Sequence, residues 1–161
     1  MKFLMKKILV FFDFCHKKRI IKNLKKINPS CSFKIILDVG AHEGESIKLF
    51  LKNFKVEHIY SFEPSELTFK ILKKNCENIK KKYANTQLHL ENIAIGLFTK
   101  DVELNYLNET SSSTLRNINI ESKYFKKKEQ YFGKLLNKKI KVKQINFNEY
   151  LKKNEITKID F

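Results

Sequence analysis

Three strand-like runs, the first nearly continuous in apolar residues and the first two each followed by a helical pattern, constrain the fold of this chain more than any other feature. Lys34-Ile35-Ile36-Leu37-Asp38-Val39 closes on Gly40, which is the texture of a strand buried on both faces. Ser46 to Phe54 then carries Ile47, Phe50, Leu51 and Phe54 on one helical face. Glu57 to Phe62 reads as a second apolar strand, and Pro64 opens a helix that presents Leu67, Ile71 and Leu72. Leu88 to Ile95 reads as a third strand, ended by Gly96. Strand, helix, strand, helix, strand at this spacing predicts an α/β fold on a doubly wound, mostly parallel sheet.

The flanks are less regular. Residues 1–33 read as a basic N-terminal helical arm, with Leu4, Ile8, Phe11, Phe12 and Cys15 at helical spacing until Asn28-Pro29 breaks the pattern. Packing of that helix on the domain is the plainer reading; an amphipathic helix meeting a membrane or a partner is the sharper one. Residues 34–161 form the domain. Within it, Val102 to Leu107 alternates like a short strand, and Asn108 to Asn117 is a polar loop holding Ser111-Ser112-Ser113. Glu121 to Lys139 is lysine-rich and predicted helical with Gly133 inside it, and Ile140 to Ile145 alternates again. Phe147 to Lys153 reads as one or two helical turns, and Ile159-Asp160-Phe161 as a strand just beginning.

At 161 residues the chain suits one domain. No run approaches the roughly 18 apolar residues of a membrane helix, and Ile8-Leu9-Val10-Phe11-Phe12 is short for a signal-peptide core. Cys15, Cys31 and Cys76 have no CxxC spacing and read as reduced thiols of a cytoplasmic protein rather than a disulfide frame or metal site. A net charge of +16 invites a nucleic-acid partner. Arginine, which makes the bidentate phosphate and base contacts, occurs only at Arg19 and Arg116, so all but two of the 33 basic residues are lysine. The lysines are spread along the chain, as a solvated surface would have them. Lys80-Lys81-Lys82, Lys126-Lys127-Lys128 and Lys138-Lys139 are the densest runs.

The chemistry gathers in Asp38-Val39-Gly40-Ala41-His42-Glu43-Gly44-Glu45-Ser46, the turn from the first strand into the first helix, where doubly wound folds bind nucleotides. Gly40 permits a sharp turn, and Gly44 permits close approach of helix and ligand. Glu63 stands at the end of the second strand, near the offset at which an acid accepts ribose hydroxyls. A dinucleotide site wants glycine where His42 stands, and a P-loop wants wider glycine spacing followed by lysine. A donor with no phosphate, S-adenosylmethionine, fits this arrangement best.

These segments, with Ser61-Phe62-Glu63-Pro64 and Asn92-Ile93-Ala94-Ile95-Gly96, resemble successive signatures of the FkbM-family methyltransferases, and Ser111 to Leu115 is similar to a serine-rich stretch of that family. The resemblance covers about residues 34–161. It implies a Rossmann-like class I methyltransferase domain that uses S-adenosyl-L-methionine as cofactor. Asp38, Gly40, Ala41, His42 and Gly44 would shape the donor pocket, Glu63 would hold the ribose, and Asn92 and Ile93 would lie near the adenine. A sugar or glycan hydroxyl is the acceptor it implies. The family pattern continues past a segment like Thr157-Lys158-Ile159-Asp160-Phe161 into a Leu-Lys-Ile-Asp-x-Glu-Gly motif, so the expected domain is incomplete at its C-terminus, and most of the acceptor side lies beyond Phe161.

Plainer readings stand beside each of these. Asp38 orients the glycine turn without touching ligand; Gly40 and Gly44 serve turn geometry; Glu63 favours the helix that follows it; His42 contacts backbone; Ser111 to Ser113 cap or flex. No residue of the segment has the setting of a general base. Two other functions compete with a sugar O-methyltransferase: a nucleic-acid methyltransferase, and an inactive, truncated product that binds a partner.

Overall fold

The computed structural model describes residues 16–108 and 110–161. The apolar positions from Leu4 to Cys15 lie outside the described residues. Residues 16–27 are helical (α1), and the chain leaves the helix at Asn28-Pro29, where proline cannot continue the hydrogen-bond ladder. The elements that follow are β1 Ser32–Val39, α2 Glu45–Asn53, β2 Lys55–Phe62, α3 Glu66–Lys82, β3 Gln87–Glu91, β4 Ala94–Gly96, β5 Lys100–Leu107, a 3-10 turn Thr110–Ser112, α4 Lys123–Phe132, β6 Asn137–Asn146 and α5 Phe147–Lys153.

The three apolar runs form one parallel sheet in the order β1-β2-β3. Its register puts Val39 beside Phe62 and Phe62 beside Glu91, so the carboxyl ends of the three strands lie side by side. Helices cover both faces, which is why the strands are apolar throughout. On one face Phe33, Ile36, Val56 and Ile59 pack against Ile21 of α1, Ile47, Phe50 and Leu51 of α2, and Leu72, Cys76 and Ile79 of α3. On the other, Tyr60 and Phe62 meet Tyr150 of α5 and the nearby Ile156. Along the free edge of β1, Asp160 N donates to Ile35 O at 3.0 Å and Leu37 N donates to Phe161 O at 2.7 Å. The Asp160 carboxylate accepts from the amides of Lys34 and Ile35, which hold its pKa below the usual value. The segment expected to begin a strand therefore lies against β1.

Three expectations need correction. The sheet is not one mostly parallel layer: β4, β6 and β5 form a second sheet in that order, with β4 parallel and β5 antiparallel to β6. The predicted third strand, Leu88 to Ile95, divides at Asn92 and Ile93 between the two sheets. The lysine-rich helix ends at Phe132, because Gly133 takes a φ of 83° and turns the chain away. Lys138 and Lys139 instead open β6, where Lys139 and Lys141 pair with Glu103 and Asp101 of β5. Among the described residues, no helix is long and apolar enough to cross a membrane.

Candidate donor-binding site

The turn between β1 and α2 is held by three sets of hydrogen bonds. Phe62 O accepts from both Gly40 N at 2.9 Å and Ala41 N at 3.0 Å, which fastens the turn to the end of β2. Gly44 N returns to Ala41 O at 2.8 Å. Asp38 accepts the Ser46 hydroxyl at 2.6 Å, tying the end of β1 to the first turn of α2. The chain passes through left-handed backbone at Gly40, His42 and Gly44, with φ of 82°, 48° and 91°. Two of these three positions are glycine, which adopts such angles without the Cβ penalty.

Glu63 closes the arrangement from the next strand. It is 7% exposed, yet both carboxylate oxygens are engaged by backbone: Oε2 accepts His42 N at 3.1 Å and Oε1 accepts Ser65 N at 2.9 Å. One side chain thus joins the β1–α2 turn to the start of α3, where Ser65 is the cap residue. Burial raises the Glu63 pKa above the usual value, and the two amides and His42 offset part of that. Asn92 supports the same corner: its Nδ2 donates to Glu63 O at 2.8 Å and Pro64 O at 3.2 Å.

These elements border a cavity of about 790 Å³ lined by Val39, Gly40, His42, Phe62, Glu63, Ile93 and Ile95, together with Thr110, Ser111, Ser113, Thr114 and Arg116. The sequence-predicted residues divide accordingly. Gly40, His42, Glu63 and Ile93 line the cavity. Ala41 is buried in the core at 1% exposure, so only its backbone faces the turn. Gly44 lies against α3, where a Cβ would stand 3.0 Å from Leu72 Cδ1. Asp38 and Asn92 brace the turn and the end of β2 through the bonds above. The His42 ring meets side chains in place of the expected backbone contact: Nδ1 lies 3.2 Å from Glu45 Oε1, and Nε2 lies 2.7 Å from Thr110 Oγ1. The sequence does not single out Thr110, Arg116 or Leu104, and it gives Ile95 only as part of the Asn92 to Gly96 signature. The serine-rich stretch is the signal that points to the neighbourhood of Thr110 and Arg116.

Asp38 carries a testable electrostatic cost. Burial is the largest effect on it and raises its pKa; the Ser46 hydroxyl lowers it, and nearby Glu45 raises it further. A carboxyl whose folded pKa is raised is stabilising when protonated and destabilising once pH rises through that folded value. Asp38→Asn keeps an acceptor for Ser46 and removes the charge. We expect it to melt above the parent chain at pH 7, with the difference shrinking as pH falls toward 4. A lower melting temperature across that whole range would refute this account.

Open α/β sheets bind ligands outside the carboxyl ends of their strands, and this cavity lies at the carboxyl ends of β1 and β2. The chain belongs to the FkbM methyltransferase family: the family model described as the Methyltransferase FkbM domain matches residues 38–161. Among solved structures, the crystal structure of methyltransferase FkbM from Methylobacillus flagellatus KT is similar at 22% identity and a TM-score of 0.40, over 45% of this chain and 20% of that one. The match therefore spans about a fifth of that relative's length. No curated protein matches the chain.

Proposed function

We propose that the chain binds S-adenosylmethionine in this cavity as the donor part of a methyltransferase, and that the methyl acceptor is a hydroxyl of a sugar or glycan. The observation that carries the reading is Glu63. Each carboxylate oxygen has two lone pairs, and one on each is used by a backbone amide. The remaining acceptor capacity matches the two hydroxyls of a ribose, on a side chain that lines the cavity.

The other residues fit the same group. A volume of about 790 Å³ falls in the range of about 300–1,000 Å³ typical of cofactor sites. Val39, Phe62, Ile93 and Ile95 supply an apolar wall for a base. A histidine stands where a pyrophosphate-binding loop needs glycine, which favours a donor without phosphate. When bound, S-adenosylmethionine supplies a methyl group activated by its sulfonium. The chain's own task is to hold the ribose at Glu63 and keep the β1–α2 turn fixed, an entropic contribution to aligning donor and acceptor. The hydroxyls of Thr110, Ser111, Ser113 and Thr114 suit a polyol on the acceptor side.

Calorimetry of the chain with S-adenosylmethionine, S-adenosylhomocysteine, NAD and ATP tests the reading. One site per chain for the first two, and at least tenfold weaker binding of the others, is the expected outcome. Equal or tighter binding of NAD would overturn it. The +16 charge favours nucleic acid as a second reading. Tight RNA binding that falls steeply between low and moderate salt would support it.

A further inference from the structure

The sequence spends almost all of its positive charge on lysine, and one of its two arginines lines the cavity. Arg116 shares the cavity lining with Gly40 and His42 of the β1–α2 turn and with Thr110, Ser113 and Thr114. Its guanidinium has no hydrogen-bond or ion-pair partner among the described residues. The backbone that carries it is firmly placed. Arg116 O accepts from Asn105 Nδ2 at 3.0 Å, and Arg116 N donates to Thr114 Oγ1 at 3.1 Å. Asn105 is itself 8% exposed in β5, pairs with the Thr114 backbone in both directions, and accepts from Asn137 of β6. A buried asparagine thus fastens the 114–116 segment to the second sheet, while the exposed side chain beyond it makes no hydrogen bond or ion pair with the described residues.

We propose that Arg116 is the anion-reading residue of the acceptor subsite, and that the acceptor is a sugar bearing a carboxylate or a phosphate. The inference rests on the donor reading above. A guanidinium presents a planar fork that matches both anions with two parallel hydrogen bonds, which an ammonium does not offer. In a chain so rich in lysine, arginine at this position is chemically distinct from the general surface charge. Among the described residues that line the cavity, the carboxylates are Glu45 of α2 and Glu63 after β2, and the cations are Arg116 and Lys17, so an anionic group is favoured at Arg116.

The chain's two arginines make a direct test possible, since an NMR spectrum of arginine Nε–Hε groups holds two signals, and Arg116→Gln identifies one of them. The full chain, saturated with S-adenosylhomocysteine, is titrated with D-glucuronate, D-glucose 6-phosphate and methyl α-D-glucopyranoside. We expect a saturable shift of the Arg116 signal with at least one anionic sugar, at least tenfold tighter than any response to the neutral glycoside. The more effective anion tells carboxylate from phosphate. Arg116→Gln should lose that discrimination and keep S-adenosylhomocysteine affinity within about twofold. No Arg116 response, or equal shifts of the Arg19 signal, would overturn the proposal while leaving the donor reading intact. A tenfold loss of S-adenosylhomocysteine affinity in Arg116→Gln would also overturn it, by making Arg116 a grip on the donor's own carboxylate. Failure of S-adenosylhomocysteine to bind at all would fell the donor reading and this one together.

Discussion

Replacing Glu63 by alanine should abolish measurable binding of S-adenosylmethionine and lower the unfolding free energy by about 2–4 kcal/mol, because two backbone donors, one buried and one part-buried, lose their acceptor at once. Those donors are His42 N and Ser65 N. The double effect follows from one side chain fastening the turn to α3 and lining the cavity. Glu63→Gln separates the two roles. It keeps one good acceptor but turns an NH2 group toward the other amide, so a smaller stability loss and at least tenfold weaker donor binding are expected. The pH dependence carries a sign that a merely structural glutamate would share only in part. Burial raises the folded pKa of Glu63, so relative to Glu63→Gln the parent chain gains stability as pH falls through that value toward the ordinary carboxylate range. Donor affinity should fall over the same interval, since ribose hydroxyls donate best to the ionised form. Melting curves and calorimetry between pH 4 and 8 measure both. Unchanged donor affinity in Glu63→Ala would refute the ribose assignment.

The residues explain which parts of this structure were legible in advance. β1 and β2 are apolar on both faces, and a glycine or a proline punctuates each, so local sequence and tertiary environment agree. The break between β3 and β4 has no such mark. Leu88 to Ile95 has apolar residues on both sides of Glu91-Asn92 and no glycine or proline between them, and the strand ends because Asn92 turns to bond the carbonyls of Glu63 and Pro64, nearly thirty residues earlier. The start of β6 was hidden for the opposite reason. Lysine favours helix locally, and pairing with β5, with its Asp101 and Glu103, overrides that preference. The site divides in the same way. The β1–α2 turn and Glu63 lie on elements whose order in the sequence is their order in the sheet. Thr110 and Arg116 reach the cavity only because the second sheet, through Asn105, carries their loop there. Nothing within the loop's own sequence specifies that destination.

Gly40 and Gly44 look alike in sequence and are expected to fail differently. Both have left-handed backbone, so alanine at either costs on the order of 1–2 kcal/mol in strain. Around Gly40 a Cβ would meet nothing within 4 Å, so strain is the whole stability cost. The added methyl would, however, stand on a residue that lines the cavity. At Gly44 the Cβ would lie 3.0 Å from Leu72 Cδ1, with Ile47 Cδ1 at 3.7 Å and Cys76 Sγ at 3.9 Å. Leu72 and Cys76 are completely buried, so Leu72 has little room to move, and α2 and α3 must separate. Overpacking of this kind adds about 1–3 kcal/mol, for a total near 2–5 kcal/mol in Gly44→Ala. Gly44→Ala should therefore unfold at clearly lower denaturant than Gly40→Ala, yet bind S-adenosylhomocysteine with nearly parent affinity while folded. Gly40→Ala should show the reverse, a modest stability loss with at least tenfold weaker binding. Parent affinity in Gly40→Ala would move the donor off the turn, and equal stability of the two variants would show that α2 and α3 are not packed as closely as Leu72 requires.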